Sequence, residues 1–383
     1  MKINKAISVV ISSILCGGIL LTGCGGGSDV KSNTPGSTVS NSIVGEVGSF
    51  RINHLALKGI VDANNTKAFI KTQYALNIVD ISNISSPEIL NEYNLTLLGY
   101  SVALSSDNKL FIDDGKYLKI LDATNPKALN QIGEYEASGA FADFVLSKDE
   151  NTLFAIDGNF LKVIDVSNPT NPYELTSISL PSAHKLHISE DGKKLYVMLQ
   201  GIKRGLTIVD ITNKNNPIKK DEYEIDNSII GIFNMAISKD DKTAILATSG
   251  GLIVLDVSNP NSIQEVTTYK SNSNISALGV GLNSFNDIII ASNNKTAFTI
   301  DVQNSEVSIL DISDPKNPKR IGSVVSFKNN INISAKMFLS NDETKLFVAL
   351  VDNTEVMNDL QSGNTTTVVP TKVRIFDVSS YTK

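Results

Sequence analysis

The sequence predicts an all-β fold, and three observations carry that prediction. A phrase of apolar residues ending in aspartate returns seven times, at Leu76 (LNIVDISNISSP), Leu118 (LKILDATNPKAL), Leu161 (LKVIDVSNPTNP), Leu206 (LTIVDITNKNNP), Leu252 (LIVLDVSNPNSI), Val307 (VSILDISDPKNP) and Val373 (VRIFDVSSYTK). Its aspartates, Asp80, Asp122, Asp165, Asp210, Asp256, Asp311 and Asp377, lie 42, 43, 45, 46, 55 and 66 residues apart, a period that suits four short strands and is too long for a leucine-rich repeat. After Cys24 no segment keeps a helical apolar period over three turns, and β-branched residues dominate the apolar positions. Seven copies of a four-stranded unit predict a seven-bladed β-propeller.

Residues 1–23 read as an export signal, because Lys2 and Lys5 precede the apolar stretch AISVVISSILCGGILL. Leu21-Thr22-Gly23-Cys24 resembles the bacterial lipoprotein cleavage box, which implies that Cys24 becomes the acylated first residue of the mature chain. Cys16 then leaves with the signal and Cys24 carries lipid, so thiolate metal sites and disulfides are excluded from the mature domain. The formal net charge of −6 becomes −8 once Lys2 and Lys5 are removed with a signal that holds no acid. That balance, with scattered Lys and Arg, argues against nucleic acid as a partner and against a polybasic lipid-binding segment. Membrane attachment is therefore expected through the lipid alone. Residues 24–42 form a Gly/Ser/Asn/Thr-rich tether with a reach on the order of 25 Å. Gly25 stands where an inner-membrane retention signal would place aspartate, which favours the outer membrane, on either its periplasmic or its outer side.

The propeller is expected over residues 43–383. About fifteen residues before five of the seven aspartate phrases, a Ser-x-Asp turn precedes an apolar run: LSSDNKLFI at Leu104, LSKDENTLFAI at Leu146, ISEDGKKLYVM at Ile188, ISKDDKTAILA at Ile237 and LSNDETKLFVAL at Leu339. In the third unit this predicts strands A, B, C and D at Asp143–Leu146, Leu153–Ile156, Leu161–Asp165 and Tyr173–Ser179. Near-continuous apolar runs in B and C predict burial on both faces, and polar outer strands such as Ile218–Tyr223 predict a solvated rim. The seventh unit ends just after strand C. Ser42–Val47 is the expected fourth strand, pairing with Val373–Val378 to close the ring.

An aspartate repeated in every unit suits an Asx turn, its carboxylate taking backbone N–H groups two and three residues ahead. It suits calcium poorly, because each phrase supplies one carboxylate where the ion wants six to eight oxygens. The phrase LxIVDxSNPxxP at this spacing resembles the LVIVD-repeat family of exported bacterial and archaeal proteins, over essentially residues 43–383. The resemblance implies a propeller and transfers no catalytic residue.

Candidate chemistry is sparse. The three histidines are His54, His184 and His187; no nucleophile elbow, phosphate loop or HExxH helix occurs, and Trp is absent. No cofactor or metal is expected. Alignment on the Ser-x-Asp turns puts Ser101, Asp143, Lys185, Asn234 and Lys336 at one strand-A position, a polar ring facing the channel if strand A is innermost, with His184 beside it. Extra length is expected in the B–C connections, as Gly201–Gly205 in blade 4, Ser292–Glu306 in blade 6 and Asp352–Lys372 in blade 7, the last bearing Glu355, Met357, Asp359 and Leu360. All B–C connections share one face of a propeller. The expected function is a lipid-anchored scaffold binding another envelope or extracellular protein on that face. The alternative is an enzyme or small-ligand sensor at the channel mouth, working through His54, His184, Asp143 and Lys185.

Overall fold

The computed structural model describes residues 44–271, 285–327, 335–351 and 371–383. The signal, Cys24 and the whole tether lie outside these residues, as do Glu355, Met357, Asp359 and Leu360. The described chain is a seven-bladed propeller, each blade a four-stranded antiparallel sheet. Blade 3 shows the pattern. Strand A is β10 (Phe141–Leu146), B is β11 (Thr152–Asp157), C is β12 (Phe160–Asp165) and D is β13 (Tyr173–Ser179). The β11 side chains and Leu161–Ile164 of β12 are buried on both faces, as the apolar runs predict.

That burial comes from the neighbouring blades. Seven apolar clusters each straddle one blade junction, for example Phe69, Ile78 and Leu76 of blade 1 against Leu110, Ile112 and Leu121 of blade 2. No blade can bury its own faces alone, so stability belongs to the ring.

The ring closes through β1 (Glu46–Ile52), which pairs antiparallel with β28 (Thr371–Asp377) from Glu46↔Phe376 to Ile52↔Thr371. Closure by an N-terminal strand is as expected, but the strand begins four residues later than Ser42. Phe50 and Ile52 supply the apolar alternation that packs on blades 7 and 1. Gly48 shows that β1 is a true outer strand: a Cβ there would stand 1.8 Å from the Ile84 carbonyl oxygen of the next blade's C–D loop. Gly133 in the D strand of blade 2 meets Pro169 in the same way, at 1.7 Å. The C-terminal turn α1 (Ser379–Thr382) docks on blade 6, where the Tyr381 carbonyl accepts Asn293 Nδ2 at 2.9 Å and Thr296 Oγ1 at 2.7 Å.

Strand turns add polar ties between blades. Every A–B turn places its fourth residue at positive φ, and in six it is not glycine: Asn65, Asn108, Glu150, Asp241, Asn294 and Glu343. Five of these six side chains reach the preceding blade. Glu150 accepts the Ser106 amide at 2.9 Å, Asp241 that of Glu190 at 3.2 Å, Asn294 that of Asp240 at 3.3 Å, Glu343 that of Ser292 at 2.8 Å and Asn65 that of Asn341 at 2.8 Å. The last of these spans the closing junction.

Blade 6 departs from the expected division. Thr296–Asp301 is strand β23 and Glu306–Asp311 is β24, so the B–C connection is only Val302–Ser305 and Ser292–Glu306 is not an insertion. The hydroxyls of Thr296 and Thr299 make the run look like loop in sequence, yet both sit buried within the strand. The added length falls in residues 272–284, between strands D and A. In blade 7, Thr371 and Lys372 already belong to β28, and the rest of the expected loop, 352–370, lies outside the described residues.

Candidate functional site

The seven repeat aspartates occupy the C–D turns. Each accepts the N–H two residues ahead, at 2.9 Å for Asp80, Asp122, Asp165, Asp210, Asp256 and Asp311 and 3.1 Å for Asp377. The second bond is to the hydroxyl of that same Ser or Thr and not to a third amide, as with Ser82 at 2.6 Å and Thr124 at 2.7 Å. These contacts hold the carboxyls of Asp80, Asp122, Asp256 and Asp311 below the usual carboxylate range. Their ligands are their own turns.

Strand A lines the channel. In five blades it carries a β-bulge one residue before the channel position, with register shifts at Ala56/Lys58, Phe141/Asp143, Ala183/Lys185, Ile232/Asn234 and Phe285/Asp287. A bulge turns the following side chain out of the sheet's alternation. The ring therefore reads Lys58, Ser101, Asp143, Lys185, Asn234, Asp287 and Lys336, each four residues before the first residue of its A–B turn. Lys58 and Asp287 were missed in sequence because their turns open with Asp62 and Ala291 instead of serine.

These side chains knit neighbouring blades. Lys58 Nζ reaches past blade 2 to Asp143 Oδ1 at 3.1 Å and the Phe144 carbonyl at 3.4 Å, which only groups converging on the axis can do. Ser101 Oγ also bonds Asp143, whose Oδ2 accepts the Leu186 amide of blade 4 at 2.9 Å. Burial opposes ionisation of Asp143, but Lys58, the Leu186 amide and Ser101 outweigh it and hold its pKa below the ordinary value. On the far side Lys185 Nζ donates to Asn234 Oδ1 at 2.8 Å, Asn234 bonds Asp287, and Asp287 Oδ2 accepts the Met337 amide of blade 7 at 2.9 Å. Burial, reinforced by the nearby Lys336 charge, lowers the Lys185 pKa to about 8.

The histidines do not assemble. His54 lies in the turn between β1 and β2 (Ala56–Val61), with its ring edge-on to Tyr74 at 5.5 Å. His184 is the unpaired residue of the blade 4 bulge, and His187 pairs opposite Tyr196 with ring centroids 6.3 Å apart. Among the described residues no three His, Cys, Asp or Glu side chains come together as a metal site.

The B–C face differs from the channel. Of ten exposed large apolar residues among those described, six lie on its turns and connectors: Tyr74, Leu97, Tyr100, Phe160, Ile202 and Ile230. Ile202, in the Gly201–Gly205 extension, is fully exposed and Ile230 is 66 % exposed. No sequence periodicity marks this cluster, since its members come from connections of different blades.

Solved structures similar to this chain in fold are of varied origin. The propeller domain of Cps50 (Swd1) from Myceliophteria thermophila matches with a TM-score of 0.63 at 10% identity, over 88% of this chain and 99% of that one. A functionally unknown protein of Desulfotomaculum acetoxidans gives 0.61 at 14% identity, over 82% and 93%. The periplasmic gluconolactonase of Pseudomonas aeruginosa gives 0.58 at 12% identity, over 70% and 85%. At these identities the likeness is one of fold. Comparison with curated proteins finds no match. The family model described as the LVIVD repeat matches residues 68–95, 152–179, 188–224, 244–271 and 300–326. Those segments carry the strand–Asp–strand phrase whose aspartates close the C–D turns, and the chain carries the LVIVD repeat in five of its seven blades.

Proposed function

We propose that this chain is an exported, lipid-anchored scaffold that uses the B–C face of its propeller to hold another protein of the cell envelope or its surroundings. The observation that carries the reading is the gathering of exposed Tyr74, Leu97, Tyr100, Phe160, Ile202 and Ile230 on that one face. Exposed apolar side chains scattered singly need no explanation, whereas a face that collects them is suited to covering. The rigid ring beneath supports the same reading, because loops held by a stiff frame lose little entropy on binding. Attachment rests on the signal anatomy and on Cys24; among the described residues no helix is long and apolar enough to cross a membrane.

Two expected outcomes test the reading in living envelopes. Cys24→Ser moves the protein out of the membrane pellet, because a single site carries all the acyl anchoring; persistence in the pellet without bound lipid rejects the anchor. Phe160→Ser with Ile202→Ser lowers cross-linking to the envelope partner at least about tenfold, while Ile218→Ser on the rim leaves it unchanged. Equal cross-linking in all three proteins rejects the face.

A small anion in the channel is the second reading. Lys185 has a neutral amide as its hydrogen-bond partner, and Lys336 has no ion-pair partner among the described residues.

A further inference from the structure

A cavity of about 420 Å³ opens on the B–C face where blades 4 and 5 meet. Ile229, Ile230 and Ile253 form its apolar wall, and Tyr223, Asp226 and Glu265 its polar one. Three other blades hold a cation three residues before the repeat aspartate, whereas blades 1, 4 and 6 hold Asn77, Thr207 and Ser308 there. In blade 3, the residue three before the repeat aspartate is Lys162, a buried side chain whose ammonium lies 3.1 Å from Asp157 and 3.0 Å from Glu174. Ser138 Oγ, at 3.1 Å, and the Tyr135 hydroxyl, at 3.5 Å, complete its shell, with the Tyr135 ring centroid at 6.0 Å. Blade 2 fills the position with Lys119, 2.6 Å from Asp114, and blade 7 with Arg374, 2.7 Å from Glu46. Blade 5 has Ile253.

Two of the four groups that receive the lysine, the tyrosine and the glutamate, are nevertheless kept. Strand register places Tyr223 opposite Leu206 as Tyr135 is opposite Leu118, and Glu265 opposite Leu255 as Glu174 is opposite Ile164. Tyr223 donates to Glu265 as Tyr135 donates to Glu174. Thr268 bonds Glu265 Oε1 at 3.0 Å from the position that Ser177 holds in blade 3. Asp226 follows Tyr223 by three residues as Ser138 follows Tyr135, replacing a hydroxyl by a carboxylate, while Thr248 replaces Asp157. The Ser228 amide occupies Asp226 Oδ1 at 2.7 Å. Blade 5 therefore has a lysine's acceptors and aromatic wall without the lysine, and the cavity lies where the side chain would run. Lys270 lines the rim, exposed to solvent.

We propose that this cavity binds a primary ammonium on an unbranched aliphatic stem, supplied by a lysine side chain of the docked protein. The stem would lie along Ile229, Ile230 and Ile253, and the ammonium would donate charge-assisted bonds to Glu265 and Asp226 over the Tyr223 ring. The ammonium site stands on the comparison of blades 3 and 5; only the choice of a protein-borne lysine rests on the docking reading.

The test is a titration of the mature chain, followed by the methyl resonances of its isoleucines, with Nα-acetyl-lysine methylamide, cadaverine and Nα-acetyl-norleucine methylamide. The lysine probe is expected to give saturable shifts at Ile229, Ile230 and Ile253, and the norleucine probe none. Glu265→Gln should weaken the response about tenfold. Ile253→Lys should abolish it by refilling the cavity from within, and Lys162→Ile should create a second ammonium site on blade 3. Affinity for a lysine-bearing peptide above that for cadaverine assigns the ligand to a protein, and the reverse order assigns it to free amines. The ammonium site is overturned if the wild type shows no saturable shift, if norleucine matches lysine, or if folded Ile253→Lys binds undiminished. Loss or retention of cross-linking in the Phe160 and Ile202 variants bears on the docking face and leaves this result standing.

Discussion

Deletion of Glu46–Ile52 from the mature chain lowers the unfolding midpoint by on the order of 10 °C or more and yields dimers through the bared edge of β28. The strand pairs with β28 along its whole length, adds the Arg374–Glu46 bond at 2.7 Å and buries Ile52 against blades 7 and 1. Its loss leaves the β28 backbone unpaired on one side and opens the junction that every other blade leans on. Deletion of Gly25–Ser40 is the matched control and is expected to leave melting unchanged. Gly48→Val provides a gentler probe, since its side chain would meet the Ile84 carbonyl without removing any strand hydrogen bond. Calorimetry and sedimentation of the three proteins check the expectation; equal midpoints for the two deletions would reject strand closure as the stabilising element.

Asp143→Ala is expected to destabilise the ring by about 3–5 kcal/mol, because it leaves the Lys58 ammonium and the Leu186 amide in the channel wall without their shared acceptor. Asp143→Asn keeps an acceptor and loses less. The pH dependence has a definite sign. Asp143 has a folded pKa below its ordinary value, so its contribution is present above the unfolded pKa of about 3.9 and is lost as pH falls through the folded value. The stability gap between wild type and Asp143→Asn should therefore hold from about pH 7 to pH 5 and shrink as pH falls from about 5 toward 2. Urea unfolding across that range measures it, and a gap that widens on acidification would show that the carboxylate is not the stabilising form.

Much of the ring was legible because its strands are written by local rules. The apolar phrase before each aspartate is buried on both faces, and Tyr173–Ser179 is a strand at the predicted bounds. Legibility failed where a blade substitutes a residue at its landmark. Asp62 and Ala291 stand where serine opens the other turns, so Lys58 and Asp287 escaped an alignment anchored on serine although each keeps the same four-residue offset. Thr296 and Thr299 disguised a strand as a loop. The blade 5 cavity was beyond sequence reasoning for another reason: Ile253 looks ordinary until Lys162 is seen among its acceptors, and those come from three segments that only the fold brings together.

The pairing of Glu46 with Phe376 also bears on the order of events during folding. Contacts between adjacent blades join residues close in sequence and can form as the chain emerges, whereas this one must wait for almost the entire domain. The first strand made is thus the last to find its place, a latch that stays open until β28 arrives. Moving Glu46–Ile52 to follow α1 would turn that latch into an ordinary hairpin neighbour, and the rearranged chain should refold faster while ending in the same ring.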